Sequence, residues 1–466
     1  MSKRKFSIVL ISLVAVLILG ALPISAQEPI TVTWFVGLGT GTNAEQIAIQ
    51  EQVVADFNAA NPGINLELNI AASNETSRDL LSTLIASGNP PDIVGPVGVS
   101  GSNSFNDQWM TLDSLVEASG FDLSTFDPAL VDLYRNDAGE LTAIPFAVYP
   151  SVTFYNADLF DEAGLSYPPS EFGAPYVMPD GTEVPWNYDT VAEIAKILTV
   201  DANGNDATMD GFDPTAIEQF GLNFQWARVR LIWSYLQPAS FYDAAANTIT
   251  LPEEWHQATQ WYWDRVWVDH TVPNSTYAAS DLLQPSGFAS GNLAMSIVPL
   301  WYTCCLDNSV GNFNWSIAPV PASFDGEQHV AMDADTFRLV KNANRSEEAT
   351  AAAFTALSYL LTDAAATLGS AYGAFPALPA AQPVWFDSIS ARYPGEIDWT
   401  VAVDSLAYAN PGPLHHESNV PNYTQTYERE NALLSLIEGD TGATVDLEAE
   451  LATFESDMNA IVSGGS

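Results

Sequence analysis

Gln225-Trp226-Ala227-Arg228 follows an apolar, strand-like run at 220–224, so an amide, an indole and a guanidinium meet at one strand-to-helix junction. Amide and guanidinium groups bond hydroxyls, and a flat indole covers the C–H face of a sugar ring. Arg228 suits an ion pair to one of the chain's abundant carboxylates equally well. A second place for chemistry is Gly37-Leu38-Gly39-Thr40-Gly41-Thr42-Asn43, a flexible loop running into a helix N-terminus, where backbone N–H groups can hold a hydroxyl or an anion. It matches neither the dinucleotide nor the P-loop pattern, which argues against a nucleotide. Asp201, Asn203 and Asn205 alternate, and Asp210 follows, which is the oxygen spacing that opens a calcium loop. Asp206 stands where such a loop needs Gly, and no Glu closes it; a turn-rich surface loop accounts for the same residues. Cys304 and Cys305 are adjacent, so they either close a vicinal disulfide in an oxidising compartment or remain two buried thiols.

Catalytic patterns are sparse. Five His include no His-Glu-x-x-His, no Gly-x-Ser-x-Gly occurs, and His415-His416 on a Pro/Gly-rich stretch reads as surface. With 57 acidic residues some carboxylate pair always lies close, so a secreted glycoside hydrolase stays open as an alternative.

These groups need elements to hold them. Ile30 to Val36 is β-rich, and Asn43 can cap a helix with Ile47, Val54 and Phe57 on its inner face, stopped by Asn61-Pro62-Gly63. Ile64, Leu66, Leu68 and Ile70 alternate with polar residues as a strand does. A helix carrying Leu80, Leu81, Leu84 and Ile85 and a short strand at 92–94 follow. Strands alternating with helices imply a largely parallel sheet with ligand loops at the strands' carboxyl ends.

Lys3, Arg4 and Lys5 precede an apolar run over residues 6–22, and Pro23-Ile24-Ser25-Ala26 then reads as a signal-peptidase site with cleavage after Ala26. An uncleaved anchor is the alternative. The formal net charge of −43 disfavours nucleic acid and anionic lipid as partners. The acids are spread along the chain as a solvated coat would be; a cationic ligand such as a polyamine is the functional alternative. Thirteen Trp, 17 Tyr and 22 Phe beside only 14 Lys and Arg favour a neutral ligand over an anionic one.

Several segments in order resemble the family 1 extracellular solute-binding proteins of ABC importers, the maltose-binding-protein group. They are Thr31-Val32-Thr33-Trp34-Phe35, Asn61-Pro62-Gly63-Ile64, Ile85-Ala86-Ser87-Gly88-Asn89-Pro90-Pro91-Asp92-Ile93, the run from Ile144-Pro145-Phe146 to Phe154-Tyr155-Asn156-Ala157-Asp158-Leu159-Phe160, Phe288-Ala289-Ser290-Gly291-Asn292-Leu293-Ala294-Met295, and Tyr372-Gly373-Ala374-Phe375-Pro376-Ala377. The resemblance implies a type II periplasmic-binding-protein-like α/β fold of two lobes, each a mixed sheet flanked by helices, with the ligand cleft between them. The lobes would be 28–143 plus 321–362 and 148–315 plus 363–466, with hinges near 144–147 and 316–320. It implies a monomeric, exported, non-catalytic binder of a sugar or oligosaccharide that serves a membrane permease and requires no cofactor, calcium being the one candidate ion. Trp301 would stack on the sugar with help from Tyr302, and Tyr149 and Tyr423 fall where relatives offer contacts. Trp109, Asp107, Asp335 and Tyr372 are further cleft candidates, beside Trp226, Gln225, Arg228 and Asn43. The Gly-Gly that relatives carry ahead of the strand near Phe337 is replaced here by Ala331-Met332-Asp333-Ala334-Asp335.

Overall fold

The computed structural model describes residues 28–136, 138–410 and 414–464. The expected signal segment, 1–26, lies outside them. Among the described residues no single helix is long and apolar enough to cross a membrane.

The chain begins β1 (Ile30–Val36), α1 (Ala44–Ala60), β2 (Ile64–Ile70), α2 (Asn74–Ala86), β3 (Ile93–Gly98) and the short α3 (Val99–Ser104). β1 pairs in parallel with β2 and β3, as the alternation of strands and helices requires. Then come β4 (Ile144–Asn156), β5 (Ile217–Asn223), α4 (Val229–Leu236), β6 (Leu293–Pro299), β7 (Trp315–Ala318), β8 (Met332–Leu339), α5 (Glu347–Leu361), α6 (Ala365–Tyr372), β9 (Phe375–Pro376) and α7 (Tyr423–Glu438).

These strands form one continuous ten-stranded sheet, ordered β2-β1-β3-β8-β4-β6-β5 and ending on the short strand Val200–Asp201, with β7 and β9 also on β4. β4 is its spine. Residues 144–150 pair antiparallel with β8, and 151–155 pair antiparallel with β6. One strand thus serves both lobes, and all thirteen of its residues are buried. Two large apolar clusters cover the sheet. One surrounds Trp34, Phe146, Phe337 and Leu357 and continues to Phe154 and Trp385. The other surrounds Trp186, Tyr235, Trp255 and Phe454.

The crossings fall later than the sequence suggested. Residues 144–147 lie inside the β4–β8 pairing, and the partner changes only between Pro150, opposite Met332, and Ser151, opposite Pro299. Residues 316–318 are still paired with β4. The carbonyl of Pro319 takes N–H from Trp186 at 3.0 Å. The return strand passes at Ala331, whose carbonyl accepts the Ser151 amide at 2.9 Å. Asp363 is no boundary either, because α6 packs on α1 and β9 pairs with Ala147 and Val148 of the first lobe.

The inner face of α1 also differs. Gln46, Gln50, Val53 and Phe57 are buried, whereas Ile47 and Val54 are half-buried. The two glutamines clamp the loop after β1: Gln46 Oε1 accepts the Gly41 amide at 3.0 Å, and Gln50 Nε2 donates to the Gly41 carbonyl at 2.9 Å. Gly41 has φ +92° and lies so close to Val36 that an added Cβ would stand 2.2 Å from its Cγ1. Only glycine fits there.

Candidate functional site

Two indoles dominate the cleft. Trp226 and Trp301 stack with centroids 6.0 Å apart and planes 9° from parallel. Trp301 sits on the 3₁₀ turn after β6 (Leu300–Cys305) and is half-buried. Trp226, just past β5, is 57% exposed and adopts φ +52°. That backbone region is uncommon for a bulky residue. Tyr302 is fully buried and backs both rings edge-on at 5.5 and 6.5 Å, so it supports the platform and offers no ligand surface.

The floor comes from β8, where alternation with buried Met332 and Ala334 puts Asp333 and Asp335 on one face. Asp333 Oδ2 accepts the Trp301 indole N–H at 2.7 Å, and Oδ1 lies 2.9 Å from His416 Nε2. Burial alone would raise the Asp333 carboxyl, but the charge and hydrogen bond of His416 outweigh it and hold the group near 2. Asp335 goes the other way. Burial, with the neighbouring charges of Asp333 and Glu417, pushes it up to about 7, although Tyr149 donates its hydroxyl to Oδ2 at 3.1 Å. Gly98 leaves room for this carboxyl, since an added Cβ would stand 3.1 Å from it. Tyr372 lies alongside, buried against Phe146, and its phenol is pushed far up by burial and by Asp335.

A turn from the C-terminal segment fills the middle of the cleft. His415 and His416, expected at the surface, are buried. His415 Nε2 donates to the Met332 carbonyl at 2.7 Å, and Nδ1 accepts the Glu417 amide at 2.9 Å. Burial holds His415 down near 4, with His416 adding to the effect. Glu417 reaches both lobes. One carboxylate oxygen meets Arg228, and the other accepts the Ser100 amide at 3.0 Å. Its carbonyl also accepts from Asn103 Nδ2 at 2.8 Å. Arg78 from α2 and Arg228 lie on the Tyr427 ring at 5.3 and 4.6 Å. Beyond Glu417 a groove of about 530 Å³ runs between Asn103, Phe105, Asp107 and Gln108 on one side and Asn419 and Tyr423 on the other.

The structure therefore links Trp301, Tyr149, Asp335 and Arg228 through Asp333, His416 and Glu417, with Trp226 stacked on Trp301, Tyr302 behind both rings, Tyr149 and Tyr372 buried, and the groove itself opening beyond Glu417. Arg228 takes the ion-pair role. Asp107 and Tyr423 border the groove, Tyr423 almost wholly buried. Three candidates fall elsewhere. Trp109 is interior and donates to the Ser102 carbonyl at 2.8 Å. Gln225 turns inward to accept from Asn223 Nδ2 at 2.9 Å. Asn43 caps α1 by accepting the Gln46 amide at 2.9 Å. Asp333, His416, Glu417 and Arg78 were missed, and only Asp333 had a visible signal, its period-two partnership with Asp335.

The proposed calcium ligands do not converge. Asp201 Oδ1 accepts the amides of Asn203 and Asn205 at 2.8 and 2.9 Å, and Oδ2 accepts that of Asp213 at 2.9 Å. Burial opposes its ionisation, but these donors outweigh it and hold the carboxyl far below the usual range. Its oxygens are thus committed to pinning the turn, and Asp210 is exposed and makes no bond to it. Among the described residues Asp333, His415 and His416 form the one cluster with metal-ligand atoms close together. Their geometry does not suit an ion. The two imidazoles stack at 4.5 Å and 19°, so their lone pairs lie in separate, nearly parallel planes, and both His415 nitrogens are already bonded, to the Met332 carbonyl and the Glu417 amide. Cys304 and Cys305 are disulfide-bonded to each other on the Trp301 turn.

The description "bacterial extracellular solute-binding protein" matches residues 41–367. A Brucella abortus protein described as a binding protein is 24% identical over 305 residues, which is 64% of this chain and 66% of the relative. The chain thus spans just under two thirds of the length of the curated relatives it matches. Among solved structures, an ABC substrate-binding protein from Listeria monocytogenes in complex with cycloalternan superposes with a TM-score of 0.70 at 18% identity, over 92% of this chain and 98% of that one. Maltose-bound MalE3 of T. maritima gives 0.65 at 17% identity, over the same 92% and 98%. UgpB of Mycobacterium tuberculosis with glycerophosphocholine gives 0.67 at 16%, over 94% and 99%. At these identities the superpositions speak for the two-lobed fold, and the family match covers well over half of the sequence. The chain belongs to the bacterial extracellular solute-binding proteins.

Proposed function

We propose that this protein is the exported binding component of an ABC importer, and that it captures a neutral sugar or oligosaccharide in the cleft and presents it to a membrane permease. The observation that carries this reading is the parallel Trp226–Trp301 pair, a flat apolar surface held at the mouth of a polar cleft. Sugars need that combination of ring face and hydroxyl partners. The charges support a neutral guest. Asp333 is turned to the Trp301 indole and to His416, Glu417 is paired with Arg228, and burial pushes the Asp335 carboxyl up to about 7. Structural neighbours described as bound to cycloalternan, maltose and maltotriose are consistent with it. The glycerophosphocholine neighbour shows that the same fold also takes other solutes. In this reading the N-terminal segment directs export and is cleaved after Ala26.

The test is a thermal-shift series on the protein lacking residues 1–26, with maltotriose, cyclic and linear glucans, monosaccharides, spermidine and glycerophosphocholine. A ligand that binds only the folded state raises Tm by mass action. A rise with a carbohydrate is the expected result. A rise with spermidine or glycerophosphocholine alone overturns the reading.

A further inference from the structure

We propose that Asp333 and His416 are positioning residues: they fix the plane of the Trp301 indole and so hold open the face on which a ligand ring lies. The inference rests on Trp301 being a binding surface.

The two rings of the platform are held very differently. Trp226 is exposed, and its indole N–H makes no hydrogen bond among the described residues. The Trp301 indole N–H is committed to Asp333 Oδ2 at 2.7 Å. The other Asp333 oxygen faces His416 Nε2 at 2.9 Å, and the His416 side chain is only 2% exposed. The His416 ring lies flat on His415, centroids 4.5 Å apart. His415 in turn is fixed at both nitrogens, by the Met332 carbonyl and the Glu417 amide. The series therefore starts at the indole and ends on the backbone of β8, one residue from Asp333.

An indole free to turn about its side-chain torsions would present its flat face only part of the time. A hydrogen bond at Nε1 removes that freedom, and the partner must itself be immobile for the constraint to hold. Asp333 alone could swing; His416 Nε2, at ion-pair distance of 2.9 Å from its second oxygen, restrains it. The same logic governs outer-shell partners of metal ligands, where a carboxylate fixes the ring that does the binding.

The test reads the platform without any ligand. Stacked indoles give an exciton couplet in far-ultraviolet circular dichroism, and the wild-type spectrum minus that of W226A isolates the Trp226–Trp301 contribution. D333A and H416L are expected to lose at least half of that couplet, and H416Q, whose side-chain amide can still donate to Asp333, to keep most of it. A full couplet in D333A and H416L, or loss in H416Q equal to that in H416L, overturns the proposal. Thermal melts accompany each variant. Should D333A be unfolded at the temperature of the measurement, the comparison of H416L with H416Q decides alone. A sugar series that yields no binding would sink the functional reading yet leave the couplet result standing. A couplet indifferent to these substitutions would sink the positioning role whether or not sugar binds. With a sugar that binds the wild type, H416L is expected to weaken affinity about tenfold with little change in H416Q.

Discussion

Replacing Glu417 by Gln should loosen the closed cleft, and the size of the effect follows from which contacts survive opening. Arg228 and Glu417 belong to the same lobe, so their ion pair persists in open and closed states and cancels. The Ser100 amide belongs to α3 of the other lobe, and its 3.0 Å bond to the Glu417 carboxylate exists only when the cleft is shut. The bond from Asn103 to the Glu417 carbonyl is untouched by the substitution. The change is therefore one charge-assisted hydrogen bond becoming a neutral one. Bonds to charged groups contribute about 1.5–3 kcal/mol and neutral ones about 0.5–1.5, a difference of about 1 kcal/mol, or roughly fivefold toward the open state. Hydrogen exchange is the assay. Ser100 and the amides of 415–418 should exchange roughly fivefold faster in E417Q relative to β1 and β3, over and above the uniform loss of global stability that an unpaired Arg228 brings. Unchanged exchange at Ser100 would refute the reasoning, because the contact would then contribute nothing to closure.

Trp301→Ala is expected to abolish the sugar-induced rise in Tm and Trp226→Ala to reduce it, each leaving the unliganded protein folded; equal affinity in W301A, by calorimetric titration, would remove that ring from the site. Asp335 binds its proton more tightly in the folded protein, near 7, than the 3.8 of the unfolded chain. Its contribution to stability is thus complete below about pH 4 and lost as pH rises through 7. Denaturation of wild type and D335N should converge or cross with rising pH, the wild type giving up about 4 kcal/mol more between pH 4 and 8; parallel curves would show that this carboxyl does not titrate as described. Arg230 and Glu430 form a pair 3.3 Å apart with both side chains 3% exposed, so E430Q should cost about 3 kcal/mol in urea denaturation by leaving a buried guanidinium unpaired. Chelation with EDTA should leave Tm unchanged, since the Asp201 oxygens already hold amides, whereas D201A should lower it; a calcium-dependent Tm would restore the cation reading.

The parallel start of the fold was legible because its signals are local. Period-two apolar residues mark β2, and the Asn-Pro-Gly stop ends α1 one residue past Ala60. Trp301 was singled out by the family resemblance; the apolar strand before it marked only where the turn that carries it begins. What stayed hidden depends on residues far apart in sequence. Nothing near His415 or His416 announces that their turn is packed into the cleft, and a Pro/Gly neighbourhood fits an exposed loop as well as an inserted one. The crossing at Ser151 was missed because β4 runs on as one buried strand of thirteen residues, and the change of partner within it depends on β6 and β8, which come far later in the chain. Asn43 and Gln225 illustrate the opposite error, polar residues of the right type whose hydrogen bonds are spent on the backbone and on a neighbour.

The position of β8 has a consequence for how the chain is made. It lies between β3 and β4, yet begins at residue 332, long after they end at residues 98 and 156. While the N-terminal portion leaves the ribosome, its central gap has no occupant, and the first half cannot reach a finished core before residue 339 appears. Such late, distant strand insertion slows compaction. On the proposed reading, in which the N-terminal segment directs export, the delay is useful: the topology itself keeps the emerging chain pliable until nearly three quarters of it has been synthesised.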